Sequence, residues 1–146
     1  MRSMPISVVA VAVLVVAFLV EIIAIRVAGG QSVSSAAPVV LFYGLILAGI
    51  ASRHRLAWQW GRMIGLFFGG LLALAAVATP FRFGRWELAI PFAVASAQAL
   101  AVGLLLGRPA AREWFRLTCP SCGEGRPRAA DFLFRSARCR GCQHVW

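Results

Sequence analysis

All four cysteines of the chain lie in one stretch near its end, CPSCGEGRPRAADFLFRSARCRGC, as two Cys-x-x-Cys hooks separated by residues 123–138. A Cys-x-x-Cys turn brings two thiols to face one point, and a second hook 15–20 residues on can close a four-thiolate site of the kind that holds zinc. Zn²⁺ suits such a donor set because it imposes no electronic geometry and does no redox chemistry. Cys119, Cys122, Cys139 and Cys142 are therefore the candidate ligands of one structural Zn²⁺ per chain. Pro120 and Gly123 stand where a tight turn wants them, and Gly141 sits inside the second hook. Phe132, Leu133 and Phe134 are the small apolar core available to the hairpin between the hooks, and His144 is a redundant fifth donor, exposed or packed beside the second hook. Some thirty residues cannot bury enough surface to fold alone, so the ion is expected to supply the folding energy. With all four positions filled by protein it would be a poor catalyst, and no catalytic residue is assigned. Two disulfides, an iron site or a thiol-exchange pair are alternative uses of the same four residues.

Over residues 117–146 the chain resembles the zinc-ribbon family, with its rubredoxin-like knuckles. The resemblance implies a two-hook β-hairpin module with the four cysteines as ligands. It departs from that pattern at Gln143, where the second hook would ordinarily end in Gly. Ribbons serve many unrelated roles, so the resemblance speaks to the metal more than to the function. No family resemblance extends over the rest of the chain.

A second group of chemistry-bearing residues lies in apolar surroundings. Glu21 and Arg26 interrupt the first apolar run, and ionisable side chains inside a membrane are candidate functional groups by default. Their five-residue offset makes direct pairing unnatural on a helix. Glu21 is left to accept a proton, to pair with Arg82 or Arg85, or to meet a partner subunit. Ser96, Gln98 and Thr79 are the main other polar residues in apolar runs, too sparse a set for an ion pathway through a single copy.

The elements that must carry these residues are hydrophobic. Of 146 residues, 60% are hydrophobic and 14% charged, and mean hydropathy is +0.79. Soluble domains carry about 25% charged residues, so a bilayer is the natural solvent. Four segments approach the roughly 20 residues needed to cross the hydrocarbon: about 5–28, 33–51, 62–79 (ending at Pro80) and 86–106. The first carries Glu21 and Arg26 before any small-residue cleavage site, which predicts a retained span over a removed leader. The expected class is an all-α membrane protein of four transmembrane helices with a small C-terminal β-hairpin zinc ribbon. Its expected parts are a four-helix domain (1–107), an amphipathic Arg/Trp connector (108–116) with Trp114 and Phe115 at the membrane interface, and the ribbon tail (117–146).

Gly61, Gly65, Gly69 and Ala73 recur at four-residue intervals along one face of the third segment. Small residues let backbones approach where lipid offers no hydrophobic drive, so the third and fourth segments are expected to pack as a close antiparallel pair, leaving a second alanine face of the fourth for another helix. Trp58, Trp60, Trp86 and Trp114 fall near span ends beside arginines, the pattern of an aromatic belt. A ligand pocket is the alternative use of Trp58 and Trp60.

Charge orients the chain. All 15 basic residues are Arg, against five acids, for a net charge of +10. Arg53, Arg55 and Arg62 lie between segments two and three, and eight Arg follow segment four, while the first connection, GGQSVSSAAP, has no charge. This places both termini in the cytoplasm, Arg82 and Arg85 notwithstanding. Residues 108–146 hold eight Arg and three acids, or +5, which four thiolates on one Zn²⁺ reduce by two to +3. Anionic headgroups are the default partner of such a surface. The expected function is a non-enzymatic accessory or scaffold subunit whose ribbon docks another protein, with homo-oligomers open. Membrane-tethered nucleic-acid binding, thiol or metal redox chemistry, and transport are the alternatives.

Overall fold

The computed structural model describes residues 4–84, 86–125, 127–131 and 133–146. Expectations that fall on Arg85, Arg126 and Phe132 lie outside the described residues. Helix α1 spans Ile6–Ala28, α2 Ala37–Ala51, α3 Arg55–Phe83, α4 Ala89–Leu106 and α5 Pro109–Trp114. Short 3-10 turns at Val33–Ala36 and Trp86–Leu88 lead into α2 and α4. Strands β1 (Pro127–Ala129) and β2 (Ala137–Cys139) form an antiparallel hairpin with Arg128 opposite Arg138. Among the described residues, four helical segments are long and apolar enough to cross a membrane: Ile6–Ala28, Ser34–Ala51, Arg55–Phe83 and Ala89–Leu106.

Pro5 precedes α1 as its cap, and Gly30 ends the helix with a left-handed φ of 73°. Arg26 then folds over the following loop, donating to the Ser35 carbonyl at 3.1 Å. The third helix departs from expectation at both ends. It begins at Arg55, because His54 leaves helical geometry and its Nδ1 accepts the Leu56 N–H. Trp58 and Trp60 are therefore helical, and the α2–α3 connection is only Ser52, Arg53 and His54. It also runs through Pro80 to Phe83. A proline so near the end removes one donor, while the final turn is closed by the Gly84 N–H on the Pro80 carbonyl, with Gly84 left-handed at φ 65°.

Helices α3 and α4 make the closest pair, running antiparallel. A Cβ added at Gly65 would stand 2.7 Å from the Ala99 carbonyl oxygen and 2.9 Å from the Gly103 nitrogen; one at Gly69 would meet the Leu100 side chain at 2.7 Å. Gly61 faces Leu106, and Ala73 is half-buried. Ser96 fastens the pair by donating to the Gly69 carbonyl at 2.8 Å. Helix α1 covers another face of α4. A sequence signal overlooked above sits at the α2–α3 corner, where a Cβ at Gly49 would lie 2.5 Å from Ala57 Cβ.

The tail packs onto the bundle. One buried cluster joins Val8, Val11 and Val15 of α1, Ile50 of α2 and Leu106 of α4 to Ala111, Phe115, Leu117, Phe134 and Ala137. The connector and hairpin thus share a core with one end of the helical bundle. Phe115 is fully buried rather than interfacial, whereas Leu133 is exposed.

Candidate metal centre

Each hook is a local device. In the first, the Cys119 N–H donates to the Glu124 carbonyl at 2.9 Å, and in the second the Cys139 N–H donates to the His144 carbonyl at 2.8 Å. The residue directly after each hook's second cysteine repeats the scheme: Gly123 turns left-handed with φ 73°, and Gln143 does the same at φ 61°. Gln143 thus takes the glycine conformation without being glycine, which costs about 1–2 kcal/mol.

The hairpin brings the hooks together. Cys119 Sγ lies 3.6 Å from Cys142 Sγ, and Cys122 Sγ lies 3.4 Å from Cys139 Sγ. All four sulfurs fall within 4.8 Å of one another, and all four cysteines are free thiols. The cage can hold one metal ion. Cys119 and Cys139, first in each hook, are buried; Cys122 and Cys142 are exposed.

Backbone amides polarise the cage. Burial raises the Cys119 thiol, but the N–H groups of Cys122 and Ser121, with the thiols of Cys142 and Cys122, outweigh it and bring it down to about 6. Cys139 is likewise lowered, first by the N–H of Cys142 and against burial. At Cys122 the Glu124 N–H lowers the thiol, yet the thiols of Cys139 and Cys142 together with burial push it up to about 12. Cys142 is also raised: the His144 N–H pulls it down, but burial and the thiols of Cys119 and Cys139 prevail. Each hook therefore pairs a first thiol shifted toward ionisation with a second shifted toward holding its proton.

The loop between the strands is held by Asp131, whose carboxylate accepts the N–H groups of Arg135 (2.7 Å) and Ser136 (3.0 Å) and the Ser136 hydroxyl (2.9 Å). The last residues add a further edge: the Ala137 and Trp146 backbones exchange hydrogen bonds at 2.9 and 3.0 Å. His144 is exposed and stacks on Trp146.

Arg55 joins this module to the bundle. The guanidinium, buried at the first turn of α3, donates to the main-chain oxygens of Arg135 (3.2 Å), Trp146 (3.1 Å) and Arg116 (3.2 Å). Among the described residues, three of the four non-glycine residues with left-handed φ flank it: Arg53, Arg116 and Phe134. Sequence reasoning missed this role, although a signal was present, since a cation at a helix N-terminus opposes the helix dipole. Tryptophans complete the junction. Trp58 donates to the Leu106 carbonyl at 2.7 Å, Trp114 to that of Ile50 at 3.2 Å and Trp146 to that of Arg116 at 3.0 Å. The Leu106 oxygen is one left open where α4 ends, while those of Ile50 and Arg116 also accept the Arg53 N–H and the Arg55 guanidinium. Trp58 and Trp114 thus have specific partners beyond a belt position, while Trp60 and Trp86 are exposed.

Glu21 and Arg26 are not brought together. Gln98 Nε2 of α4 donates to Glu21 Oε1 at 2.6 Å, and Arg26 turns to the Ser35 loop instead. Gln98, passed over as one of a few sparse polar residues, is a partner of Glu21 outside the three alternatives considered for it.

The chain matches no family model, and no curated protein or solved structure is significantly similar to it. Its class rests on its own features: a mostly helical chain with four apolar helices of membrane-spanning length and a four-cysteine cluster beside a small hairpin.

Proposed function

We propose that this is an integral membrane protein with both termini in the cytoplasm, holding one structural Zn²⁺ in the cage of Cys119, Cys122, Cys139 and Cys142, and presenting the ribbon as a docking face for another protein. The observation that carries the reading is the shared core with its Arg55 grip: the metal module is built into the bundle end as a rigid face. Zinc is favoured by the donor set. Thiolates about 2.3 Å from zinc form a tetrahedron with edges of about 3.8 Å, close to the 3.6 and 3.4 Å separations between hooks. A closed set of four protein ligands leaves no position for substrate, which supports a non-enzymatic role. Anionic headgroups next to the arginine-rich module are the accompanying partner.

The test starts from the full chain in mild detergent. One zinc per chain is expected, with thiols unreactive until a chelator is added. Changing Cys119 and Cys122 together to Ser should open residues 117–146 to protease, leave the four helices in the membrane and abolish cross-linking to a stoichiometric partner. Iron in the cage, or oxidised cysteine pairs, would refute the structural-zinc assignment. A partner retained by the double variant would refute the docking role.

A further inference from the structure

The junction between bundle and ribbon does not close completely. A cleft of about 360 Å³ remains, with Phe115 and Phe134 among its walls and four arginines, Arg53, Arg55, Arg116 and Arg135, around them. Among the described residues no carboxylate lines it. The nearby Asp131 is engaged by the Arg135 and Ser136 amides and the Ser136 hydroxyl. Arg55 is committed to three main-chain oxygens, and Arg53 lies over the Trp114 ring at 3.9 Å. The side chains of Arg116 and Arg135 are exposed and make no hydrogen bond or ion pair among the described residues. Gathering like charges is unfavourable, and the single charge of Asp131, which attracts Arg55 and Arg135, does not offset four; here the backbone holds them in place, with Arg53 and Arg116 both in left-handed conformations, at φ 59° and 53°. Strain concentrated at one site is a mark of function.

The position of the cleft selects the anion. Ser52, Arg53 and His54 form the turn that joins the ends of α2 and α3, so in a bilayer crossed by these helices the cleft opens at the depth of the headgroups. Guanidinium groups present paired donors that match phosphate oxygens. We infer that this cleft binds the phosphate of an anionic phospholipid headgroup, with Arg116 and Arg135 as its free donors. The inference deepens the membrane reading above and rests on it.

Arg116→Gln/Arg135→Gln removes both free charges and keeps the main-chain oxygens that Arg55 needs. Arg128→Gln/Arg138→Gln, on the strand pair away from the cleft, removes the same charge as a control. Thermal unfolding of the full chain in detergent is followed against added phosphatidylglycerol, phosphatidylcholine or inorganic phosphate. Phosphatidylglycerol should stabilise the unaltered chain, and the cleft variant should require about thirtyfold more of it, given several-fold per arginine near an anionic surface. The control should stay within about twofold of the unaltered chain.

An unchanged cleft variant overturns the site. So does an equal loss in the control, which would mean diffuse charge only. Inorganic phosphate matching the lipid at equal concentration overturns the lipid source. If the double variant loses its metal, Arg135→Gln alone decides in the same assay, with a several-fold loss expected and no loss overturning the site. Extraction of the chain from membranes by alkaline carbonate would sink the membrane reading itself; retention with no preference for the anionic lipid sinks only the headgroup site.

Discussion

At the scale of single residues, the two hooks differ in one decisive way. Gly123 and Gln143 hold equivalent positions with φ 73° and 61°, a region glycine enters freely and other residues enter at a cost of about 1–2 kcal/mol. Gln143→Gly is expected to tighten ion retention about fivefold, and Gly123→Ala to loosen it by a similar factor, in competition with a chromophoric chelator. An unchanged affinity in both would mean that hook strain is not felt at the cage. The thiols carry a second expectation. Near pH 7 Cys119, held at about 6, is largely ionised, while Cys122 at about 12 and the raised Cys142 keep their protons. Binding a divalent ion must release those two protons, so affinity falls as pH falls, by about a hundredfold per unit near neutrality. An indicator dye in weak buffer should register at least two protons per ion. The count approaches four to the extent that the ion-free ribbon unfolds and its thiols return to about 8.5.

At the scale of elements, the α3–α4 contact separates glycines that matter from those that do not. Gly65→Ala drives a methyl group into backbone atoms of α4 at 2.7 and 2.9 Å, which should cost about 1–3 kcal/mol despite the better helix propensity of Ala. Gly70→Ala meets nothing within 4 Å and should be neutral or gain up to about 1 kcal/mol. Unfolding in mixed detergent micelles would rank the two, and equal effects would contradict the close approach. The Gly61–Gly65–Gly69 ridge was legible because periodicity of four is a local pattern. The ends of α3 were not, because Pro80 and the run before Arg62 were weighed by composition, whereas a His54 cap at one end and a Gly84 turn at the other decide the boundaries.

At the scale of the molecule, Arg55 couples metal to bundle. Arg55→Leu leaves the Arg135 oxygen without a donor and takes one of two donors from the oxygens of Trp146 and Arg116, which should cost about 1–3 kcal/mol. Coupling is reciprocal, so the same change should weaken metal binding, by up to roughly a hundredfold if the whole cost is felt at the cage, although Arg55 touches no cysteine sulfur. Equal affinity in chelator competition would show the ribbon to be independent. The four apolar segments and the cysteine cage could be read from the chain because each depends on neighbours in sequence or on composition. The contacts of Arg55 span 61, 80 and 91 residues, and the Glu21–Gln98 bond spans 77. Such pairs are chosen by packing, which no short pattern encodes.

Helix α3 has 29 residues, a length of about 43 Å at about 1.5 Å per residue, against a hydrocarbon thickness of about 30 Å. In a bilayer it must lean or protrude, and Arg55 sits at the tip that the ribbon grips. Mechanically the helix is a single rod clamped at one end. A twist applied at the cysteine cage would travel along it to the opposite leaflet, and Pro80 is the first joint on the way where it could bend.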